Sequence, residues 1–539
     1  MKLGIQTPVP RQAHAAFEPT DPRNLQDARW EETRIPKPVL AWGSTDTRYL
    51  RHALPDLKPE APLALTAWRG ERVSGQAVLW SPRQMNEVRI RLEGIPFASA
   101  RFVRFVRADN ALVPDILDDA ESVVVEPQTT RSIWVSVEPP PGTKPGRYEG
   151  VLYAEGGRTS LALPFTVDVL PRTLPPPSEW RFYLDLWQNP YSIARWHRVK
   201  PFSEEHFRVM RPHLRLLADA GQKVLTTTLL HDPWGGQTFD PYSSMVEWIR
   251  SADGTYKWDF STFDRYVAFG KSCGVGPYVN VYSMIPWTNK LRIRNERGEY
   301  EWLALEPGKL SYEALFAPFL KEFTQHLKKK GWLGTTRIAM DERPLPVMKA
   351  AFDVVRRHAP QIPIALAGDA NPEFKDFVED WCLMLGDVAP TLLSARRQMR
   401  KPTTFYVCCV PNRPNTFTDA PPAESHWIGH WAAAKGYGGF LRWAYDSWTE
   451  DPFFDTKHTT WPAGDCFVVY PGARSSIRFE RLREGIQDFE KLRILRESRV
   501  DVSAVDGALA RLTRLAVATE DAAPQVNAVR AALLAAGRV

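Results

Sequence analysis

The chain has 539 residues, of which 44% are hydrophobic and 24% are charged, and its formal net charge is +6. This is the composition of a globular protein with room for two to four domains, and no stretch approaches the roughly 18 apolar residues of a membrane span. Lys and Arg are scattered rather than clustered, so we expect neither nucleic acid nor a membrane as a partner. The five cysteines lack CxxC or Cys/His ligand spacing, so neither a disulfide framework nor a metal site is predicted.

The N-terminus, MKLGIQTPVPRQAHAAFEP, contains no continuous apolar segment of the kind found in a signal peptide. As written, it predicts a cytoplasmic protein. A trimmed or misassigned start would instead be compatible with a periplasmic or secreted one.

Residues 1–175 have the pattern of an all-β domain. Short alternating segments, such as 88–92 and 132–137, recur between Gly- and Pro-rich turns without a helical period. The sequence PRTLPPP at 171–177 is typical of a stiff linker. We therefore predict an N-terminal β-sandwich over residues 1–175.

From residue 176 to residue 460 the pattern changes to strands that alternate with helices. Apolar segments predict eight strands, at 182–187, 223–230, 277–282, 337–340, 363–367, 381–385, 404–408 and 439–444. Helical spacing lies between them at 204–220, 260–273, 311–330, 346–358 and 423–435. Eight strands with intervening helices indicate a (β/α)8 TIM-like barrel. Residues 461–539 are predicted to add a strand and a helical segment that pack on the barrel.

Two adjacent carboxylates, Asp341 and Glu342, directly follow the fourth predicted strand. In α/β barrels the catalytic groups lie at the carboxyl ends of the strands, so this pair predicts acid/base chemistry. The structural alternative is that Asp341 caps the next helix and Glu342 is a solvated loop charge.

Acids, amides and aromatic residues also follow the other predicted strands. Trp is abundant, with 20 residues, and aromatic planes stack on sugar rings while carboxylates and amides bind their hydroxyl groups. Taken singly, each of these residues could equally be a cap or a core residue. As a set they predict a carbohydrate site without a cofactor or metal. The set contains Asp185, Trp187, His231, Asp232, Trp234, Asn280, Tyr282, Asp369, Tyr406, Asn412, Trp443, Tyr445, Asp446 and Trp448.

Several motifs carry a resemblance to a known family. They are AWRGE at 67–71, PGRYEG at 145–150, MDE at 340–342, GFLRWAY at 439–445 and SIRFERLREGIQDFE at 476–490. With these the chain resembles glycoside hydrolase family 123, whose members are β-N-acetylgalactosaminidases with a β-sandwich followed by a (β/α)8 barrel. Such families often read Asp-Glu-Pro where this chain has Arg343 between Glu342 and Pro344. This departure leaves the pair intact but could alter the neighbouring subsite.

The resemblance implies a retaining β-N-acetylhexosaminidase that uses substrate-assisted catalysis. By similarity, Asp341 would orient the 2-acetamido group of the substrate, and Glu342 would protonate the leaving oxygen and later deprotonate water. Tyr406 could donate to the acetamido oxygen, and Trp443 or Trp448 could form a wall of the acetyl pocket. The expected partner is an oligosaccharide or glycoconjugate substrate, and the oligomeric state is left open.

Two other functions remain compatible with the sequence. One is a retaining glycosidase in which Glu342 is the acid and Asp185, Asp232 or Asp369 is the nucleophile. The other is a carbohydrate-binding protein without turnover. Hydrolysis of an aryl hexosaminide separates enzyme from binder, and dependence on the 2-acetamido group separates the two enzymes.

Overall fold

The computed structural model describes residues 18–23, 25–33, 35–386 and 388–538. Residues 1–17, on which the expected location depends, lie outside this part of the chain. Within it, no helix combines the length and the apolar character needed to cross a membrane.

The N-terminal region consists of two five-stranded sheets, preceded by the short helix α1 (Arg29–Thr33). Its strands are β1 Val39–Gly43, β2 Leu63–Arg69, β3 Val73–Ser81, β4 Met85–Glu93, β5 Ala98–Ala108, β6 Ala111–Asp118, β7 Val123–Val125, β8 Thr129–Val137, β9 Gly146–Gly156 and β10 Thr159–Thr173. The strand orders are β1-β3-β8-β5-β6 and β2-β10-β9-β4-β7. Alternate residues of β9 and β10 are buried, and they share one hydrophobic core with β3 and β8 of the other sheet.

The first sheet is buried on both faces, since every residue of β3 and β8 is buried. Its second face packs on the rest of the chain, where Trp134 and Leu117 contact Ile477. Backbone hydrogen bonds cross this boundary, such as the one from the Leu117 N–H to the Ser475 carbonyl, 2.9 Å long. The N-terminal region is therefore firmly attached to the C-terminal part of the chain.

The centre of the molecule is an eight-stranded parallel sheet that is nearly closed into a barrel. Its strands are β11 Tyr183–Leu186, β12 Val224–Thr228, β15 Tyr278–Tyr282, β18 Thr336–Met340, β19 Ile364–Ala367, β20 Val378–Met384, β21 Thr403–Tyr406 and β22 Gly439–Arg442. They are adjacent in chain order, and β22 pairs with β11. Between β11 and β12 the closure consists of an isolated bridge from Leu184 to Gln222. Each of the eight predicted strands overlaps one strand of this sheet.

Helices connect the barrel strands, and the five predicted ones are present. They are α3 Glu204–Ala218, α4 Ser261–Ser272, α5 Leu310–Lys330, α6 Leu345–His358 and α8 Pro422–Lys435. The Ser203 side chain caps α3 by accepting from the His206 N–H, and α5 ends at Gly331, whose φ of 70° favours glycine. The structure also contains elements that the sequence pattern did not predict: α2 Pro190–His197, α7 Pro390–Gln398 and two 3-10 turns, Pro177–Glu179 and Pro372–Phe374.

A second, smaller sheet was also missed. Its strands are β13 Glu247–Arg250, β14 Tyr256–Asp259, β16 Lys290–Asn295 and β17 Tyr300–Ala304, in the order β14-β13-β16-β17. One face packs on α5, where the Trp248 ring stacks on Phe319 with centroids 4.7 Å apart. We call this element the side sheet.

The C-terminal part contains the helices α9 Ile477–Glu497, α10 Ser503–Leu512 and α11 Ala523–Gly537. The strand expected here is replaced by isolated bridges, such as that between Tyr470 and Arg474. Almost all of α9 is buried, because it lies between the barrel and the N-terminal region. Lys491, directly after the 476–490 motif, bridges Glu71 Oε1 at 2.7 Å and Asp488 Oδ1 at 2.6 Å. Within the motif, Arg478 donates to Asp115 Oδ2 of β6 at 2.9 Å, so this segment joins the two halves of the molecule.

Candidate active site

Asp341 and Glu342 lie at the carboxyl end of β18, at the edge where all eight barrel strands end. Every residue of β18 is buried, which fixes the position of the pair. A cavity of about 200 Å³ opens at this edge. This volume is below the roughly 300–1,000 Å³ of sites for drug-sized ligands, so it suits one small group such as a single sugar ring. The lining consists of Trp187, Trp234, Gln237, Trp287, Asp341, Glu342, Ala367, Tyr406, Cys408, Cys409, Leu441, Trp443, Trp461 and Asp465.

Asp341 is held by two hydrogen bonds at the cavity. The Trp287 indole N–H donates to Oδ2 at 3.0 Å, and the Glu342 backbone N–H donates to Oδ1 at 2.8 Å. Burial raises the pKa of the Asp341 carboxyl to about 6, and these hydrogen bonds act against that rise. Asp341 does not cap the next helix, because Pro344 occupies the N-cap position of α6 and no side chain caps it.

Glu342 is exposed and is contacted by Tyr406 from β21, whose hydroxyl donates to Oε1. Burial raises the pKa of Tyr406, and the hydrogen bond to Glu342 raises it further. The phenol therefore stays protonated and can donate a hydrogen bond. Next to the pair, the Arg343 guanidinium stacks over the Trp287 ring at 5.2 Å and donates to Asn289 Oδ1 at 2.8 Å. Arg343 thereby supports the indole that holds Asp341.

The cavity brings together six of the residues predicted from the sequence: Trp187, Trp234, Asp341, Glu342, Tyr406 and Trp443. Tyr282 lies behind this lining, with its ring centroid 4.6 Å from that of Trp187 and 5.3 Å from that of Trp234. His231 contacts Trp302 of the side sheet at 5.7 Å, and hydrogen bonds from Gly235 and Gly236 hold Asp232 in its loop.

The remaining predicted residues lie elsewhere. Asn280 and Asp185 are buried within the barrel, where burial raises the pKa of Asp185 well above its usual range and the negative charge of Asp380 adds to the effect. Asp369 and Asn412 are exposed and do not line the cavity. Three residues after β22 belong to the core: Tyr445 donates to the His213 carbonyl at 3.0 Å, Trp448 donates to the Val469 carbonyl at 2.8 Å, and Asp446 accepts from the Asn189 N–H at 2.7 Å.

Tyr445 and Trp448 therefore do not lie at the cavity, contrary to the sequence-based prediction. The regular strand β22 ends at Arg442, and beyond it the chain turns into the core, so alternation along the strand no longer applies. Of the two Trp residues predicted after β22, Trp443 lines the cavity and Trp448 does not.

The cavity also contains residues that the sequence analysis did not select. Trp287 comes from the loop after β15, and Trp461 and Asp465 lie beyond the predicted end of the barrel at residue 460. Asp465 is buried, and Arg442 donates to its Oδ1 at 2.8 Å. Cys408 also lines the cavity, and because burial raises its pKa to about 12, its thiol stays protonated. A Trp beside polar residues in a strand-to-helix loop was the available signal for Trp287.

Among the described residues, one cluster has the composition of a metal site. His426, His430 and Asp488 place their ligand atoms within 4.8 Å of one another. Both imidazole Nε2 atoms lie at hydrogen-bond distance from Asp488 Oδ2, at 2.7 and 3.0 Å, while Lys491 pairs with the other oxygen. An ammonium group on the same carboxylate opposes a divalent cation, so we interpret the cluster as a buried polar network between α8 and α9.

An acid pair at the carboxyl edge of a barrel sheet, in an aromatic-lined cavity, is typical of a glycoside hydrolase. Protein-family models agree. Residues 187–495 match "Glycoside hydrolase 123, catalytic domain", and residues 42–103 and 102–155 match "Glycoside hydrolase 123 N-terminal domain". The chain belongs to glycoside hydrolase family 123, and its substrate is a carbohydrate.

Of the following solved structures, the first shares the fold of this chain. A family 123 glycoside hydrolase from Clostridium perfringens is 24% identical with a TM-score of 0.85, and the match covers 93% of this chain and 98% of that one. A GH10 xylanase from termite gut is 11% identical with a TM-score of 0.32, covering 80% and 100% of the two chains. An endo-β-1,4-mannanase from Thermotoga petrophila is 11% identical with a TM-score of 0.34, covering 59% and 78%. Comparison with curated proteins finds no match.

Proposed function

We propose that the chain is a retaining β-N-acetylhexosaminidase, in particular a β-N-acetylgalactosaminidase, that uses the 2-acetamido group of its substrate as the nucleophile. The observation that carries this proposal is the set of carboxylates at the cavity. Among the described lining residues, the acids are Asp341, Glu342 and Asp465, and Asp465 is paired with Arg442. Asp185, Asp232 and Asp369, the candidate nucleophiles of the alternative enzyme, do not line it.

In the proposed reaction, the acetamido oxygen attacks the anomeric carbon while the bond to the leaving oxygen breaks, giving an oxazolinium ion. Asp341 accepts a hydrogen bond from the acetamido N–H and stabilises the positive charge that develops on this group. Glu342 gives its proton to the leaving oxygen, and it then takes a proton from the water that opens the oxazolinium ion. Two displacements at the same carbon give retention of configuration.

The surrounding residues support the same roles. Tyr406 donates to Glu342 in the free site, and its hydroxyl is available to the acetamido oxygen once the sugar binds. Trp443 lines the cavity as a wall for the acetyl group. The Clostridium perfringens structure is described as showing glycolipid glycan hydrolysis, which supports a glycoconjugate as substrate here.

We also propose that the N-terminal region is a β-sandwich and that the central sheet has the layout of a (β/α)8 barrel. The two N-terminal sheets share one core as in a β-sandwich, and the barrel strands follow one another in chain order with helices between most of them, as in a (β/α)8 barrel.

The acetamido requirement gives the direct test. We expect hydrolysis of an aryl β-N-acetylgalactosaminide, no hydrolysis of the aryl β-galactoside, and strong competition by a thiazoline analogue of the bicyclic intermediate, because the site stabilises that charge and shape. Equal turnover of both glycosides would support the enzyme-nucleophile alternative instead. Binding of the sugar without turnover would support the carbohydrate-binding alternative.

The pKa of Asp341 gives a second prediction. Because burial raises this pKa to about 6, the carboxylate is ionised above pH 6 and becomes protonated below it. A protonated Asp341 cannot stabilise the cationic acetamido group, so kcat/KM should fall tenfold per pH unit below about pH 6. The measurement is kcat/KM against pH with the aryl substrate.

The variant Trp287→Phe removes a donor that favours the carboxylate, so its acidic limb should move to higher pH. Trp461→Phe is the matched control, since the Trp461 indole lines the same cavity but donates to the Gln237 carbonyl. The assignment to Asp341 is wrong if both variants keep the wild-type limb, or if both shift it equally.

A further inference from the structure

The side sheet presents an exposed aromatic pair near the cavity. Tyr300 and Trp302 are each 51% exposed and lie on the same face of β17, two residues apart. The opposite face is packed, since Leu291 and Ile293 of β16 are buried in the barrel core. Large aromatic side chains left in solvent on an otherwise well-packed sheet indicate a binding surface.

Three cations share this face with the aromatic pair. In the register of β16 with β17, Lys290, Arg292 and Arg294 lie opposite Ala304, Trp302 and Tyr300, respectively. Arg294 lies 3.7 Å from Glu247, whereas within the described part of the chain neither Lys290 nor Arg292 forms an ion pair. The Arg292 guanidinium lies 4.4 Å from the centre of the Tyr300 ring. The face is therefore both aromatic and positively charged.

Two connections link this face to the lining of the candidate active site. His231 contacts Trp302 and lies three residues before Trp234 of the cavity lining. On the other side, β16 begins three residues after Trp287, and the Trp287 backbone N–H donates to the Pro233 carbonyl at 2.8 Å. Burial and the nearby Arg292 lower the pKa of His231 to about 4, so the imidazole is neutral near pH 7 and the positive charge of this region comes from the arginines and the lysine.

We propose that this face binds an acidic sugar on the leaving-group side of the scissile bond, with its ring on Trp302 and its carboxylate or sulfate group on Arg292. Aromatic planes stack on the C–H faces of sugars, and a guanidinium binds planar or tetrahedral oxyanions through paired N–H groups. The cavity holds the sugar whose bond is cleaved, and the side sheet holds the next part of the chain. The assignment of the side sheet to the leaving-group side of the substrate rests on the proposed function.

The test compares three oligosaccharides that carry the same non-reducing β-N-acetylgalactosamine and differ in the next sugar, which is neutral, carboxylate-bearing or sulfate-bearing. For the wild type we expect a lower KM with both acidic substrates, and this preference should weaken as salt rises. A preference for only one of them identifies the anion as carboxylate or sulfate.

Arg292→Gln should raise KM about tenfold on the acidic substrates, with little change on the neutral one, and Trp302→Ala should raise KM on all three. Both variants should hydrolyse the aryl substrate like the wild type. Arg297→Gln is the matched control, since it removes the same charge from the exposed turn between β16 and β17. Thermal melting checks that each variant is folded.

The inference is wrong if the wild type shows no preference for acidic substrates, or if Arg292→Gln and Arg297→Gln behave alike. Binding to neutral phospholipid vesicles that is lost in Trp302→Ala, without any effect on the oligosaccharides, would show a lipid-binding face instead. If the aryl substrate is not hydrolysed at all, the proposed function fails. Calorimetric titration with the acidic oligosaccharides then still tests the side sheet by itself.

Discussion

Asp341→Asn is expected to lower kcat by roughly 10²–10³-fold, and by a similar factor on natural linkages and on substrates with activated phenol leaving groups. The amide cannot stabilise the positive charge that develops on the acetamido group as it attacks. A better leaving group makes bond breaking easier but does not replace this charge, so the defect should persist along a leaving-group series.

The measurement is kcat for a series of aryl β-N-acetylgalactosaminides of decreasing phenol pKa. Asp353→Asn is the matched control, because Asp353 is exposed on the outer face of α6 and the same change there should leave kcat near the wild-type value. Thermal melting should show both variants folded. A variant of Asp341 that regains wild-type rates with good leaving groups would show that Asp341 is the acid and that the two roles are exchanged.

The barrel strands were predictable because each contains a short apolar segment and is mostly buried. The run 337–340, preceded by Gly331 and Gly334, predicted β18, and the position of Asp341 and Glu342 at the carboxyl edge of the barrel followed from the strand alone. For these residues, local sequence and tertiary structure give the same result.

The side sheet was not predicted, although one of its strands has a recognisable sequence pattern. KLRIRN at 290–295 has the apolar alternation of a half-buried strand, with Leu291 and Ile293 inward. It lies within a segment that the barrel pattern assigned to a strand-to-helix connection, so it was not interpreted as a strand. The length of that connection, from the end of β15 to the start of α5, was the overlooked signal.

The candidate site was only partly predictable. The end of a strand fixes the position of the residue that directly follows it, but not the direction of the side chains further along the chain. Trp443 follows β22 directly and lines the cavity, whereas Tyr445 and Trp448 turn into the core within a few residues. Trp287 comes from one loop, and Trp461 and Asp465 come from another that is far away in the sequence. Only tertiary packing brings them to the same cavity.

Glu342→Gln should lower kcat by about 10²–10⁴-fold on natural-type linkages and much less on activated aryl substrates. The reason is that Glu342 supplies a proton to the departing oxygen. A sugar leaving group needs this proton because its alkoxide is strongly basic, whereas a phenol of low pKa departs without it. The effect of the substitution should therefore decrease steadily along the same leaving-group series on which the Asp341→Asn defect stays constant.

Glu373→Gln is the matched control for this variant, since Glu373 is a surface residue paired with Lys349 and its loss should cost less than about 1 kcal/mol of stability and no activity. The Tyr406 hydroxyl bond to Glu342 adds a second check. Tyr406→Phe should lower activity on its own but should add less in the double variant than in the wild-type background, because the two groups act together. If Glu342→Gln is equally impaired with every leaving group, Glu342 is not the proton donor. If neither carboxylate variant loses activity, the pair is structural, and the chemistry must be assigned to other residues of the cavity.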